Sequence, residues 1–216
     1  MIKTSASLLA CDLSNISGEL SRCKAAGVDW IHFDVMDGAF VEQITYGSPV
    51  LKCIRRATDM FLDVHLMVND PMSQIKFFAE AGADLISFHL ESSSSAVQTL
   101  ELIRSFGVKS ALAIKPGTAA EEVYPLLSLC DMVLVMTVEP GYGGQAFIPE
   151  TIEKIRQLRE YAGSGIDIEV DGGINARTAP LVKEAGANVL VAGTGLFKAE
   201  DMAQANAALK TPQKGV

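Results

Sequence analysis

The chain has 216 residues, 49% of them hydrophobic and only 6% aromatic, so a large core has to be built chiefly from Ala, Val, Ile, Leu and Met. A formal charge of −8, with no cluster of Lys and Arg, argues against a nucleic-acid partner, whose phosphates reward grouped cations. Cys11, Cys23, Cys53 and Cys130 form no C-x-x-C pair, and no window suits a signal peptide or a bilayer span; reduced thiols and a soluble, cytoplasmic protein with no membrane partner are expected.

In chain order, a first strand is expected over 4–10 and a second over 29–35, entered through "AAGVDW", where Gly27 can supply the left-handed cap of the helix before it. The third strand, 60–67, leads into a helix that Asp70 caps and Pro71 opens, with Met72, Ile75, Phe78 and Ala79 on one apolar face before Gly82. The fourth strand, 84–90, follows "EAGADL", and the fifth, 108–114, follows "SFGVKS". After the sixth, 131–138, Pro149 starts "PETIEKIRQLREY", with Ile152, Ile155 and Leu158 on one side. The seventh strand is expected over 166–171 and the eighth, after "EAGANV", over 188–193; "KTPQKGV" at 210–216 reads as a frayed tail.

The junction glycines at 27, 82, 107 and 186 stand 55, 25 and 79 residues apart, close to two, one and three multiples of about 26. That period divides the chain into eight βα units. Eight strands alternating with eight helices through right-handed crossovers close most simply into a single-domain α/β TIM (β/α)8 barrel. An open doubly wound sheet would need a nucleotide fingerprint, but "GTGLFK" at 193–198 puts Lys198 where the third small residue belongs, and no P-loop occurs.

Side chains two apart on a strand share a face, so His32, Asp34 and Met36 point together, as do Asp63, His65 and Met67. Asp171 ends the seventh strand in "DIEVDGG". Strand C-termini converge on one rim of a barrel, so His32, Asp34, His65 and Asp171 are expected around one point. Two imidazoles and two carboxylates suit a divalent zinc, iron(II), manganese or cobalt ion. A histidine taken singly on a strand is more often a hydrogen-bonded core residue than a ligand; together, several ionisable groups in apolar surroundings call for a compensating charge. His89, opening "HLESSSS", reads as a substrate contact or a structural residue, Asp63 as an orienter of a ligand histidine or a buried hydrogen-bonded carboxylate, and Asp37 as a turn or cap. "EPGYGG" at 139–144, the pair 172–173 and "GTG" at 193–195 each follow a strand and precede a helix, and backbone amides in such loops can nest a phosphate. Met36, Met67 and Met136, at strand ends, are either core filler or a cap that keeps water from the site.

The stretches "SASLLACD", "IHFDVMDGAFV", "DVHLMV", "FHLE", "AIKPGT", "MTVEPGYGGQAFIP", "IEVDGGIN" and "VAGTGLF", spread from the first strand to the last, closely resemble the ribulose-phosphate 3-epimerase family. The orotidine-phosphate decarboxylase group, which shares the barrel, is a poorer match, because its D-x-K-x-x-D signature is replaced here by "DVMDG". The resemblance implies an isomerase of the pentose phosphate pathway, interconverting D-ribulose 5-phosphate and D-xylulose 5-phosphate by two-base proton transfer through a 2,3-enediolate. It implies one divalent ion per subunit, zinc or iron(II) with manganese or cobalt as alternatives, held by His32, Asp34, His65 and Asp171. Asp34 and Asp171 would also be the acid and base. Ser7 would contact the ketose phosphate, Met36, Met67 and Met136 would line the site, and the amides of Gly143, Gly144, Gly173, Gly193 and Thr194 would hold its phosphate. A homo-oligomer, dimer or hexamer, is also implied. Two departures stand out: Ala39-Phe40-Val41-Glu42-Gln43 replaces the usual His-Phe-Val-Pro-Asn, and Thr194-Gly195 replaces Ser-Ala. A sibling epimerase for six-carbon ketose phosphates and a phosphate-binding barrel without turnover are the competing readings.

Overall fold

The computed structural model of the protein describes residues 1–211. Eight parallel strands, β1 (Lys3–Ser7), β2 (Trp30–Met36), β3 (Phe61–Met67), β4 (Leu85–His89), β5 (Lys109–Ile114), β6 (Met132–Met136), β7 (Asp167–Asp171) and β8 (Val189–Ala192), pair in sequence order. β8 pairs in turn with β1, from Lys3 opposite Val189 to Ala6 opposite Ala192, so the sheet is a closed barrel with no free edge. Outside it lie α1 (Ile16–Ala25), α2 (Ser48–Ala57), α3 (Ile75–Glu80), α4 (Ala96–Ser105), α5 (Thr151–Ala162), α6 (Ala179–Glu184), α7 (Thr194–Phe197) and α8 (Met202–Lys210). The expected TIM barrel is therefore the fold.

Local differences have physical causes. β1 stops at Ser7 because Leu8–Ala10 turns into a 3-10 helix, with the Cys11 amide bonded back to the Leu8 carbonyl. The expected third helix begins only at Ile75: the Asp70 carboxylate accepts from Ser94 Oγ (2.7 Å) instead of capping, and Met72 is 39% exposed. The fifth unit carries two 3-10 helices, Ala120–Glu122 and Tyr124–Leu129, in place of an α-helix. Its crossover is short, and Pro125 within it has no N–H to give to a carbonyl four residues back. The eighth unit is split into α7 and α8, and Lys210, which the tail reading included, is the last residue of α8. Residues 212–216 of that tail lie outside the described residues.

Strand alternation divides the core in two. Residues such as Phe33, Val64, Ile86, Phe88, Val133 and Val170 face outward and pack against the helices in one continuous apolar layer, all fully or almost fully buried. The alternate residues fill the barrel. Its lower end is plugged by Trp30, Leu85, Ala111, Met132 and Val189, with the Trp30 and Phe61 rings stacked at 4.4 Å. Lys3 Nζ lies 4.7 Å from the Trp30 ring centre and 2.6 Å from Asp167, closing the bottom with charge. Above the plug the interior is polar: Ser5, Asp63, His32, Ser87 and Glu169 are fully buried there. Branched aliphatics usually fill that space in this fold.

Phe33→Ala should lower the stability of the folded chain by about 3–5 kcal/mol, whereas Val97→Ala, on the half-exposed face of α4, should stay within about 0.5 kcal/mol of wild type. Urea denaturation midpoints of the two variants measure the contrast; equal shifts would contradict the assignment of the outer layer as the main core.

Candidate active site and metal centre

The barrel strands deliver their last inward side chains to one cleft of about 740 Å³ at the C-terminal rim. Ser7, Asp34, Met36, Met67, Met136 and Asp171 all line it, and so do Gly143, Gly144, Gly173, Gly193 and Thr194. The residues that the resemblance places around the substrate thus line one cleft. His32 and His65 sit just beneath, fully buried, as the period-2 pattern requires.

One ligand atom from each of His32, Asp34, His65 and Asp171 lies within 4.8 Å of the other three. Asp34 Oδ1 is the common neighbour, 3.2 Å from His32 Nε2 and 3.3 Å from His65 Nδ1, while its Oδ2 accepts from Ser7 Oγ at 2.8 Å. On the far side of His32, Nδ1 faces Asp63 Oδ2 at 2.6 Å, and Ser5 Oγ donates to the same oxygen at 3.1 Å. Asp63 is therefore the orienter of His32: an Nδ1–H held by this carboxylate directs Nε2 at the cleft. His32 Nε2 is buried and has no hydrogen-bond partner among the described residues, the state expected of a nitrogen built to hold a cation. The donor set of two imidazole nitrogens and two carboxylate oxygens fits a divalent transition metal.

The electrostatics agree. Burial opposes charge on His32, yet Asp34 and Asp63 on either side raise its pKa well above the ordinary imidazole value. A proton there occupies the position a cation would take, and binding the cation would release it. Burial would raise Asp34, but the charge of His32 beside it holds it well below the carboxylate range. Asp171 moves the opposite way: burial, then the charge of Asp34, push it up to about 7. Two carboxyl groups in one cleft are thus driven apart in proton affinity, one ionised and one able to carry a proton.

The loops explain the cleft's upper wall. Gly173 has φ +66°, and a Cβ there would stand 2.7 Å from the Phe147 amide nitrogen, so only glycine lets the β7–α6 turn pass beneath the β6–α5 loop. Thr137 Oγ1 donates to the Asp171 and Gly172 carbonyls, at 2.9 and 2.6 Å, and fixes the turn that aims Asp171. Asp37 makes the turn read for it, Oδ1 accepting from the Ala39 and Phe40 amides and Oδ2 from the Asn69 amide. In the unusual 39–43 loop, Gln43 lines the cleft and Glu42 accepts from Tyr142 OH at 2.8 Å, linking the two loops above the site.

Three participants were missed in the sequence. Glu169, two residues before Asp171 and so on the same face, is fully buried below His32, and burial with the charge of Asp63 raises it well above the carboxylate range. Strand alternation alone could have found it. Lys198 lines the cleft and is the one cation doing so among the described residues; it was read only as a fingerprint mismatch. Glu91 was quoted within "FHLE" but given no role; its carboxylate accepts from His89 Nδ1 at 3.1 Å and from the Lys115 amide at 2.8 Å. His89 itself is fully buried and touches His65, so it is not a substrate contact.

A raised folded pKa at Asp171 means that the unfolded chain loses this proton first as pH climbs from about 4 toward about 7, so the group costs stability increasingly across that window. In chelator, Asp171→Asn should match wild type near pH 4 and be progressively more stable than it up to pH 7, by denaturant titration. A pH-independent difference would contradict the environment described.

Comparison with known proteins accords with this architecture. The profile of the Ribulose-phosphate 3 epimerase family matches residues 3–197. The cytoplasmic isoform of ribulose-phosphate 3-epimerase from Oryza sativa subsp. japonica is 42% identical over 217 residues, covering 99% of this chain and 95% of its own. The ribulose-phosphate 3-epimerase of Rhodobacter capsulatus is 44% identical over 198 residues, covering 91% and 86%. Among solved structures, a 3-hexulose-6-phosphate synthase superposes with a TM-score of 0.69 at 20% identity over 96% of this chain and 98% of its own, a likeness of fold alone. With the profile spanning nearly the whole barrel and relatives above 40% identity over nearly all of the chain, this protein belongs to the ribulose-phosphate 3-epimerase family.

Proposed function

We propose that the chain inverts carbon 3 of D-ribulose 5-phosphate, giving D-xylulose 5-phosphate, with Asp34 and Asp171 as the two proton-transfer groups. The observation that carries this is the pair itself: two carboxyl groups from β2 and β7, Asp34 buried and Asp171 partly exposed, facing one cleft with opposite shifts in proton affinity. Inversion needs a proton removed from one face of the reacting carbon and returned to the other, and one carboxylate with one carboxylic acid meets that need in both directions. Asp34, ionised, takes the proton in one direction while Asp171 delivers one, and the roles exchange in reverse. The planar species between is a 2,3-enediolate.

His32, Asp34, His65 and Asp171 would hold a divalent ion, zinc or iron(II) by donor type. Bound there, it would supply Lewis-acid stabilisation of the charge that develops on the substrate's oxygens. Ser7 fixes the Asp34 carboxylate through its hydroxyl and stands ready to meet the substrate. Met36 and Met67, packed with Val41 and Phe40, and Met136, packed with Leu134 and Val138, surround the reacting carbon with apolar surface, which excludes water and strengthens each charge interaction. The amides of Gly143, Gly144, Gly173, Gly193 and Thr194 receive the phosphate, and Lys198 adds the positive charge that an acidic cleft otherwise lacks. The homo-oligomer implied by the family resemblance belongs to the same proposal, as does a cytoplasmic location, which the rice relative's name states for that protein. No helix of the described residues is long and apolar enough to cross a membrane.

A coupled assay for D-xylulose 5-phosphate, run with zinc content measured on the same samples, tests this. Asp171→Asn should retain zinc at saturation and lose roughly a hundred- to ten-thousand-fold in kcat. Wild-type turnover by that variant would overturn the two-carboxyl assignment, and a higher kcat/KM for a six-carbon ketose 6-phosphate than for the pentose would overturn the substrate.

A further inference from the structure

The mechanism uses one side of His65 and leaves the other unexplained. Behind the ring, His65 Nε2 stands 3.0 Å from His89 Nε2, both side chains fully buried. His89 Nδ1 in turn stands 3.1 Å from Glu91 Oε2. The other oxygen of Glu91 is already engaged: Oε1 accepts from the Lys115 amide at 2.8 Å and from the Thr118 hydroxyl. These three residues come from β3, β4 and the loop after β4, and the loop that anchors Glu91 follows β5.

The chain of contacts has a direction. A carboxylate taking donors on both oxygens is an acceptor, so the hydrogen between His89 and Glu91 sits on His89 Nδ1. A neutral His89 then has a bare Nε2, and the hydrogen between the two rings must come from His65 Nε2. That leaves His65 Nδ1 bare, 3.3 Å from Asp34 Oδ1 and turned toward the ligand cluster. With the opposite arrangement His65 would donate from Nδ1 to Asp34, and His89 would have to donate from both nitrogens. His65 would then present a hydrogen where a metal ligand needs a lone pair. Asp63 does the same for His32 through a single contact; here two links are needed because, on the Nε2 side of His65, the ring of His89 stands before the carboxylate of Glu91.

We propose that Glu91 and His89, with Thr118 and the Lys115 amide as anchors, are positioning residues that hold His65 in the Nε2–H tautomer and so make it a metal ligand. This rests on the reading of His65 as a ligand. The relay never touches substrate: it acts through ring orientation and proton placement, as a hydrogen-bonded outer partner of a metal-binding histidine does.

Two measurements test it, neither requiring turnover. Long-range nitrogen–proton NMR of the imidazoles in zinc-free protein should find His65 protonated on Nε2 alone; a signal from the Nδ1–H tautomer as the main form would overturn the proposal. Zinc affinity, by competition with a chromophoric chelator, should fall about ten- to a hundred-fold in Glu91→Gln and His89→Leu, with circular dichroism unchanged. His89→Gln, whose side-chain carbonyl can still accept from His65 Nε2–H, should recover most of the loss. Wild-type affinity in both Glu91→Gln and His89→Leu, alongside zinc loss in His65→Ala, would overturn the relay and leave the metal reading standing. Full zinc affinity in His65→Ala would overturn both.

Discussion

A buried column of ionisable side chains, stacked inside a closed barrel, is the constraint on which the rest of this structure depends. Asp63, His32, Asp34, His65 and His89 are all but completely removed from solvent, and Glu169 lies beneath them without a hydrogen-bond partner among the described residues. Burying carboxylates costs several kcal/mol each unless charge and hydrogen bonds compensate. Here Ser5, Ser7 and the imidazoles supply the hydrogen bonds, while Glu169 and Asp171 keep their protons more readily than usual. What the protein groups leave uncompensated is negative charge around Asp34, and a divalent ion answers that need.

The barrel makes such a column tolerable. Outward-facing side chains on the same strands form the large apolar layer, so stability comes from the interface with the helices and the interior is released for chemistry. The Trp30–Phe61 plug closes the bottom, and the strand ladder closes on itself around the polar interior. Positions on six separate strands then converge on the cleft with little freedom, because each side chain is fixed at or near a strand end. Charge placement in the cleft follows from this rigidity, and preorganised charge is what a proton transfer next to a carbonyl requires.

Much of this was legible before any coordinates. The spacing of Gly27, Gly82, Gly107 and Gly186 is a property of the repeat itself, since each marks a helix-to-strand junction, and all four have positive φ. His32, Asp34, His65 and Asp171 were legible because strand alternation and a common rim are enough to bring them together. What escaped depended on contacts between distant segments. Asp70 looks like a cap until Ser94, 24 residues away, takes its carboxylate. Glu91 has no visible role until the Lys115 and Thr118 loop folds against it. The crossover between β5 and β6 is expected to be helical as one of eight βα units, and its 3-10 form reflects the short span and Pro125. Glu169 was available to the same alternation that found Asp171, two residues before it on the same face of β7.

Proton NMR of the zinc-loaded protein with D-ribulose 5-phosphate in deuterium oxide tests the central claim most directly. Two carboxyl groups on opposite faces, one of them exchanging with solvent between removal and return of the proton, predict D-xylulose 5-phosphate carrying deuterium at carbon 3. Product that retains protium there, from a single group moving one proton between faces, or no product from folded, metal-loaded protein, would contradict the account.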